Sequence, residues 1–243
     1  MKTSFHAGVS GLMAYQQAMD TIGNNIANVN TVGYKHQTTQ FEDLLYVRMD
    51  TKSAPELLKG VGTKAAASQL HAGQGAFIPT GGNLDFAIQG DGFFMVDNEG
   101  QKEYTRSGAF AIGTRSKRAY LTTTDGAYVL DMRGRRIELK ENKETGQYDL
   151  EGLEDQIGVY RFVNPHALSP ASANRYLETE ESGKAARDNK GVCDLAPGFL
   201  EQSGTDLSDE MAAMIRTQRA FQVSARVVTV SDQIEEIVNG LRR

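Results

Sequence analysis

The sequence predicts a mixed α and β fold in which long N- and C-terminal heptad helices, coiled-coil-like, flank a central all-β domain. Three observations predict it. Apolar residues step by three and four between Phe5 and Ile26. They do so again towards the C-terminus, from Leu207 to Leu241. Between about Gly75 and Gly198, short alternating runs are punctuated by glycine instead.

The first helix carries Phe5, Gly8, Leu12, Tyr15, Met19, Ile22 and Ile26 on one seam. Thr3 or Ser4 is the expected cap. Gly8, Gly11 and Gly23 each cost about 1 kcal/mol against alanine in a helix interior. Glycines along a seam suit a helix packed closely on another helix. The segment ends in "NNIANVNTVGYK", Asn24 to Lys35, with four asparagines in seven residues. Asparagine is a weak helix former, because its amide competes for nearby backbone groups. One is enough for a cap, so four ask for a further reason.

"KGVGTKAAASQLHAG" reads as a polar connector into the β-domain. The strands that follow are expected in "LDFAIQGDGFFMVD", "KEYTRSGAFAIG", "RAYLTTTDGAYVLD", "RGRRIEL", "QYDL" and "IGVYRFV". Asn98-Glu99-Gly100 and Asp125-Gly126 read as hairpin turns. A twisted barrel- or sandwich-like domain is the expected outcome. Arg133, Arg135 and Arg136 read as a charged strand edge that discourages aggregation. The polar stretch from Asn164 to Gly191 reads as loops.

The last helix is expected to start at an Asp206 or Ser208 cap, with Asp209 and Glu210 at the positive end of its dipole. Its broad stripe includes Leu207, Met211, Met214, Ile215, Phe221, Val223, Val227, Val230, Ile234, Ile237 and Leu241. Arg242 and Arg243 close it with the favourable charge. A helix of roughly 35 residues is about 50 Å long. The segmentation is therefore 1–59 for the first helix, the Asn-rich turn and an extended segment, 60–203 for the β-domain, and 204–243 for the second helix. One-sided stripes must be buried, either on each other or on copies from other chains.

Several functions are disfavoured. The 243 residues carry a formal net charge of -5, with pI near 5.5, so no nucleic-acid partner is expected. No run approaches the roughly 18 apolar residues of a membrane span, and no membrane insertion is expected. The N-terminus lacks the continuous apolar run of a signal peptide. Cys193 is the single cysteine, which rules out an internal disulfide or a cysteine zinc site. His6, His36, His71 and His166 are scattered, without ligand spacing. "GDGFF" lacks the Lys-Ser/Thr end of a phosphate loop. No nucleophile elbow or acid pair stands out. No catalytic residue, metal or cofactor is expected, and the chain is not expected to be an enzyme. The rival reading is a ligand-binding β-domain or an enzyme with helical oligomerisation arms. Polar groups converging in a β-domain pocket would favour it.

The motifs also resemble a known family. "NNIANVNTVGYK", "FEDLLY" (Phe41 to Tyr46), "LDFAIQGDGFF", "YTRSGAF" and "EMAAMIRTQRAFQVSARVVTVSDQIEEIVNGLRR" are similar, in this order, to segments of the bacterial flagellar rod and hook axial proteins. The similarity is nearest to the distal and proximal rod type, the FlgG/FlgF group. Residues 47–59 form a shorter link than the insertion usual in distal rod subunits, which leaves the two types open. The resemblance implies a structural subunit of the basal-body rod, self-assembling through its terminal helices into a helical tube that transmits torque. It implies copies of the chain, other rod subunits and the hook as partners. It also implies passage through the flagellar type III export apparatus without a cleavable signal, and residence in the basal body within the cell envelope. The assembly interface is expected at Leu12, Met19, Ile22, Asn24, Asn25, Ile26, Asn28, Thr31, Gly33 and Tyr34. On the last helix it is expected at Met211, Met214, Ile215, Gln218, Arg219, Phe221, Val228 and Ile234.

Overall fold

The structure, a computed structural model, describes residues 2–48, 58–115, 118–140, 148, 150, 152–188 and 192–241. Its α-helices are α1 (Lys2–Ala27), a single turn α2 (Leu153–Gln156) and α3 (Leu207–Gly240), 34 residues long. The chain forms two compact units. One comprises residues 1–27, 37–69 and 206–243; the other comprises 28–36 and 70–205. Residues 60–69 thus group with the helices, and residues 28–36 with the β-rich unit.

In the helical unit, α1 pairs with α3. The fully buried positions of α1 are Gly8, Gly11, Ala14, Ala18 and Asn25. The larger residues of the expected seam, Leu12, Tyr15, Met19, Ile22 and Ile26, are half-buried. The line of closest approach between two helices falls where side chains are smallest, and larger ones flank it. A methyl group on Gly8 would stand 2.9 Å from Val228 Cγ2, and one on Gly11 would stand 3.2 Å from Ser224 Oγ. The first turn differs from expectation: α1 already includes Thr3 and Ser4, so neither caps it. Asp206 does cap α3, accepting hydrogen bonds from the backbone N–H of Ser208 at 2.8 Å and of Asp209 at 3.4 Å.

The same unit holds β1 (Gln37–Asp43), β2 (Tyr46–Arg48), β3 (Leu58–Gly60) and β4 (Thr63–Leu70). β1 pairs with β4, and β2 with β3. The stretch expected to be a polar connector is therefore partly a strand. Backbone pairing holds it, and the polar residues of β1 leave no apolar alternation to read. Gly62, with φ of 139°, sits against Ser10 of α1, whose hydroxyl accepts from Thr63 N–H at 3.3 Å.

The second unit holds β5 (Phe77–Pro79), β6 (Phe86–Gln89), β7 (Phe93–Asn98), β8 (Gln101–Thr105), β9 (Phe110–Arg115), β10 (Arg118–Thr123), β11 (Tyr128–Val129), β12 (Glu138–Leu139), β13 (Val159–Arg161), β14 (Ser169–Pro170), β15 (Arg175–Leu177), β16 (Ala186–Arg187), β17 (Asp194–Pro197) and β18 (Phe199–Glu201). The main sheet runs β12-β10-β11-β7-β8-β15-β14, with β9 also on β10 and β13 joining β7 to β16. β17 pairs antiparallel with β6, and β18 with β5. β7 and β8 form the hairpin expected at Asn98-Glu99-Gly100, where Glu99 and Gly100 take φ of 51° and 95°. The Asp125-Gly126 turn likewise joins β10 to β11.

β7 reads "FFMV" because it is buried on both faces. Phe94 and Val96 join Phe86, Ile88, Leu121, Val129 and Ile157. Phe93 and Met95 join Leu70, Tyr104, Tyr160 and Tyr176 in a second cluster. Strand alternation sends neighbours to opposite faces, so a doubly covered strand reads as a continuous apolar run.

Two further expectations are corrected. The polar stretch after residue 163 is not loops alone, since it supplies β14, β15 and β16; these strands are too short and too polar to show a period. Arg133 and Arg135 do not lie on a strand edge but in a turn, where Asp131 Oδ1 accepts from their backbone N–H groups at 2.7 and 2.8 Å. An aspartate carboxylate that captures backbone donors downstream makes this turn where the sequence suggests a strand. Arg136 pairs with Asp97 at 2.7 Å and covers the Tyr128 ring. Gln147 and Asp149 of the expected "QYDL" strand, and Arg242 and Arg243, lie outside the described residues.

Candidate assembly interface

The asparagines have separate tasks. Asn25, at the end of α1, is buried, and its amide is hydrogen-bonded on both its oxygen and its nitrogen. It accepts from Gln37 N–H at 3.0 Å, and donates to Gln37 O and to Glu210 Oε1, both at 2.8 Å. One side chain thus ties α1 to β1 and to the first turn of α3. Burial is the leading influence on Glu210 and pushes its carboxyl above the ordinary range, with Asp209 adding to it; the Asn25 amide acts the other way. Asn28 belongs to the β-rich unit. Its carbonyl oxygen accepts from Thr31 N–H at 3.1 Å and its side-chain oxygen from the Thr31 hydroxyl at 3.0 Å, closing the turn. Asn24 is exposed.

Gly33, Tyr34 and Lys35 are all buried within the β-rich unit. Gly33 has φ of 66°, and a Cβ there would lie 2.7 Å from the Arg106 carbonyl carbon. Only glycine fits both the backbone conformation and the space. Its N–H donates to Glu201 O at 2.8 Å, and Gly204 N–H donates to Tyr34 O at 2.8 Å. Lys35 then reaches Glu201, with Nζ 2.6 Å from Oε1, and also donates to Gly73 O. Arg106 Nε donates to the other Glu201 oxygen at 2.5 Å. The rest of the guanidinium is bound by the carbonyls of Ile88, Gly90 and Gly92. Gly75 N–H completes the Glu201 shell at 2.6 Å. Burial is the leading influence on Lys35 and lowers its pKa, while Glu201 opposes it. A buried carboxylate with two cations and a backbone donor has its lone pairs satisfied, which is the condition for keeping charge out of water.

Sequence reasoning quoted Lys35 and Arg106 inside motifs but gave neither a role, and it did not single out Glu201, Ala14 or Ala18; Glu210 was read only as a helix-dipole charge, and Gly8 and Gly11 as glycines suited to close helix packing. A usable signal was the run of small residues at helical spacing, Gly8, Gly11, Ala14 and Ala18.

On α3 the broad apolar stripe divides. Met214, Phe221 and Val228 repeat every seven residues and are half-buried; Val228 meets Gly8. Met211, Ile215 and Ile234, at 54%, 52% and 44% exposure, belong to a second stripe with Val223, Val230 and Ile237 that the helical unit leaves uncovered. Gln218 and Arg219 are exposed, and on α1 Leu12, Met19, Ile22 and Ile26 are half-buried, as is Thr31 in the β-rich unit. The expected interface residues therefore form two sets, one engaged within the chain and one facing outward.

The β-rich unit also has an open groove lined by Met132, Glu154, Asp155, Asp188, Cys193 and Asp194, among others. Burial pushes the Cys193 thiol up, which keeps it in its poorly nucleophilic form. Among the described residues, no group of three or more His, Cys, Asp or Glu is placed to hold a metal ion. Among them also, no helix is long and apolar enough to cross a membrane.

The chain thus has a β-rich unit and a unit of two paired terminal helices, one with a second apolar face, and comparison with known proteins places it among flagellar axial proteins. Residues 5–35 match the family model described as flagella basal body rod protein. Residues 87–152 match the flagellar hook protein FlgE/F/G D1 domain, and residues 196–241 the flagellar basal body rod FlgEFG protein C-terminal region. The flagellar basal-body rod protein FlgG of Bacillus subtilis is 36% identical, covering 98% of this chain and 99% of that one. FlgG of Borreliella burgdorferi is 34% identical over the full length of both. The flagellar hook-basal body complex protein FlhP of Bacillus subtilis is 29% identical over 93% of this chain and 94% of that protein. The chain belongs to the flagellar basal-body rod protein family.

Proposed function

We propose that the chain is a FlgG-type structural subunit of the flagellar rod, joining copies of itself and other axial proteins through the outward stripe of α3. The observation that carries this is the second apolar face, which runs along a helix about 50 Å long and stays uncovered after α1 and α3 have paired. Soluble monomers rarely leave so long an apolar surface open. The proposed occupant is a second subunit of the same kind, a reading that the rod-protein names of the relatives support. Asn24, Gln218 and Arg219, exposed on these helices, join the interface. The residues engaged within the chain, such as Asn25, Gly33 and Tyr34, contribute by holding the helices and the β-rich unit in form. In this reading the protein is not an enzyme, resides in the basal body and reaches it through the flagellar export apparatus.

Ile215→Asp and Ile234→Asp test the proposal. Each places a carboxylate on the outward stripe without touching the α1 contact. The expected result is an unchanged melting curve for the free chain, with no incorporation into purified basal bodies and no motility. Normal incorporation of both variants would overturn it.

A further inference from the structure

Three histidines that are scattered in sequence meet in the β-rich unit. The His36 and His71 rings stack with centroids 4.7 Å apart and planes 18° apart. His166 meets His71 edge-on at 6.1 Å, and its Nδ1 lies 2.7 Å from Leu70 O. His36 is the last residue of segment 28–36, directly before the chain leaves this unit for β1. His71 follows the point where the chain returns at Leu70, and Gly204 lies one residue before the final exit at Thr205. Backbone bonds join the three places: His71 N–H donates to His36 O at 2.9 Å, and Gly204 N–H donates to Tyr34 O at 2.8 Å. The rings therefore sit on the passages by which the chain enters and leaves the unit.

The surroundings of His36 disfavour a proton. Its Nδ1 is buried without a well-formed hydrogen bond. Burial lowers its pKa most, the facing His71 ring next, and Lys35 adds to them; the Gly204 backbone against the ring works in the opposite direction. Lys35 is itself committed to Glu201, beside Arg106. The charged or titratable groups that act on His36 are His71 and Lys35, and His166 in turn meets His71. A neutral pair of imidazoles stacks favourably, whereas two imidazolium rings in this position repel.

We propose that the His36–His71 stack is a proton-operated clasp: neutral, it holds together the chain passages at residues 34–36, 70–71 and 204, and protonated, it releases them. The clasp is independent of what the chain assembles into. Histidine is the side chain whose charge changes near physiological pH, so the transition falls at mild acidity.

The test uses the full-length chain between about pH 8 and pH 5. Histidine ring signals report protonation by NMR, and amide exchange at His71 and Gly204 reports opening after correction for the intrinsic rate. His36 is expected to titrate below the ordinary histidine range, and both amides to lose protection as it does. His71→Phe keeps a ring to stack on and removes its charge, so it is expected to retain protection across the range. Equal loss in wild type and His71→Phe would overturn the clasp. Should that variant not fold, the wild-type titration still decides: an ordinary or raised His36 value, or amide protection indifferent to its protonation, overturns it.

Discussion

Lys35 and Glu201 lie 166 positions apart and form a buried ion pair at 2.6 Å, which Arg106 shares from the other side. The cluster holds two cations and one carboxylate, so its members are not equivalent. Removing Glu201 leaves two buried cations facing each other. Removing Lys35 leaves a balanced Arg106–Glu201 pair.

Glu201→Gln is therefore expected to cost about 3–5 kcal/mol, the range for breaking a buried pair from one side. Lys35→Met keeps the aliphatic volume and loses a hydrogen-bonding partner, for an expected cost of about 1–2 kcal/mol. Urea unfolding of both variants measures the difference. Equal costs would mean that the cluster does not act as one carboxylate neutralising two cations.

Gly33 makes this approach possible. Gly33→Ala forces an alanine to φ of 66° and sets its Cβ against the Arg106–Ser107 backbone. The left-handed conformation alone costs roughly 1–2 kcal/mol, and the clash adds to it. Gly126→Ala is the control: φ is 87°, and nothing lies within 4 Å of the added carbon. A clearly lower melting temperature for Gly33→Ala than for Gly126→Ala is expected.

These contacts explain how much of the molecule could be read in advance. The long helices, the Asp206 cap and the β7–β8 hairpin were legible because each signal is local. The charge cluster was not, because its partners are distant in sequence and charged residues are surface residues by default. Of the proposed interface, the outward residues Met211, Ile215 and Ile234 could be read only as part of one broad apolar stripe. That α1 would occupy the face carrying Val228 was not legible, because helical period alone does not say which partner covers which side. The seam of α1 was legible only in part: its glycines were read as a sign of close helix packing, but a search for large apolar residues passes over Ala14 and Ala18, which continue the line of closest approach.

That seam makes opposite predictions for two glycines of one helix. Gly8→Leu must push Val228 aside and is expected to destabilise the helical unit by about 1–3 kcal/mol, the usual cost of overpacking. Gly23 faces nothing within 4 Å and has no positive φ. Gly23→Ala is expected to stabilise by up to about 1 kcal/mol through helix propensity. Thermal melts followed by helical circular dichroism distinguish them; destabilisation by Gly23→Ala would show a contact there that α1 and α3 alone do not make.

Glu210 couples the α1–α3 contact to pH. Burial raises its carboxyl pKa in the folded chain above the ordinary value, Asp209 adds to this, and the bond from Asn25 partly offsets it. A carboxyl that holds its proton more tightly when folded favours the fold at acidic pH. That contribution is lost as pH rises through the ordinary value and on through the raised one. At neutral pH the ionised group is thus a local liability, even at the end of α3 where the helix dipole favours negative charge. Glu210→Gln fixes the neutral form and keeps an oxygen to accept from Asn25. The variant is expected to be more stable than wild type at pH 7, with the gap closing as pH falls below the ordinary carboxyl value. Urea midpoints for both proteins between about pH 7 and pH 4 measure it. A variant less stable at pH 7 would show that the dipole and the charged hydrogen bond outweigh burial at this position.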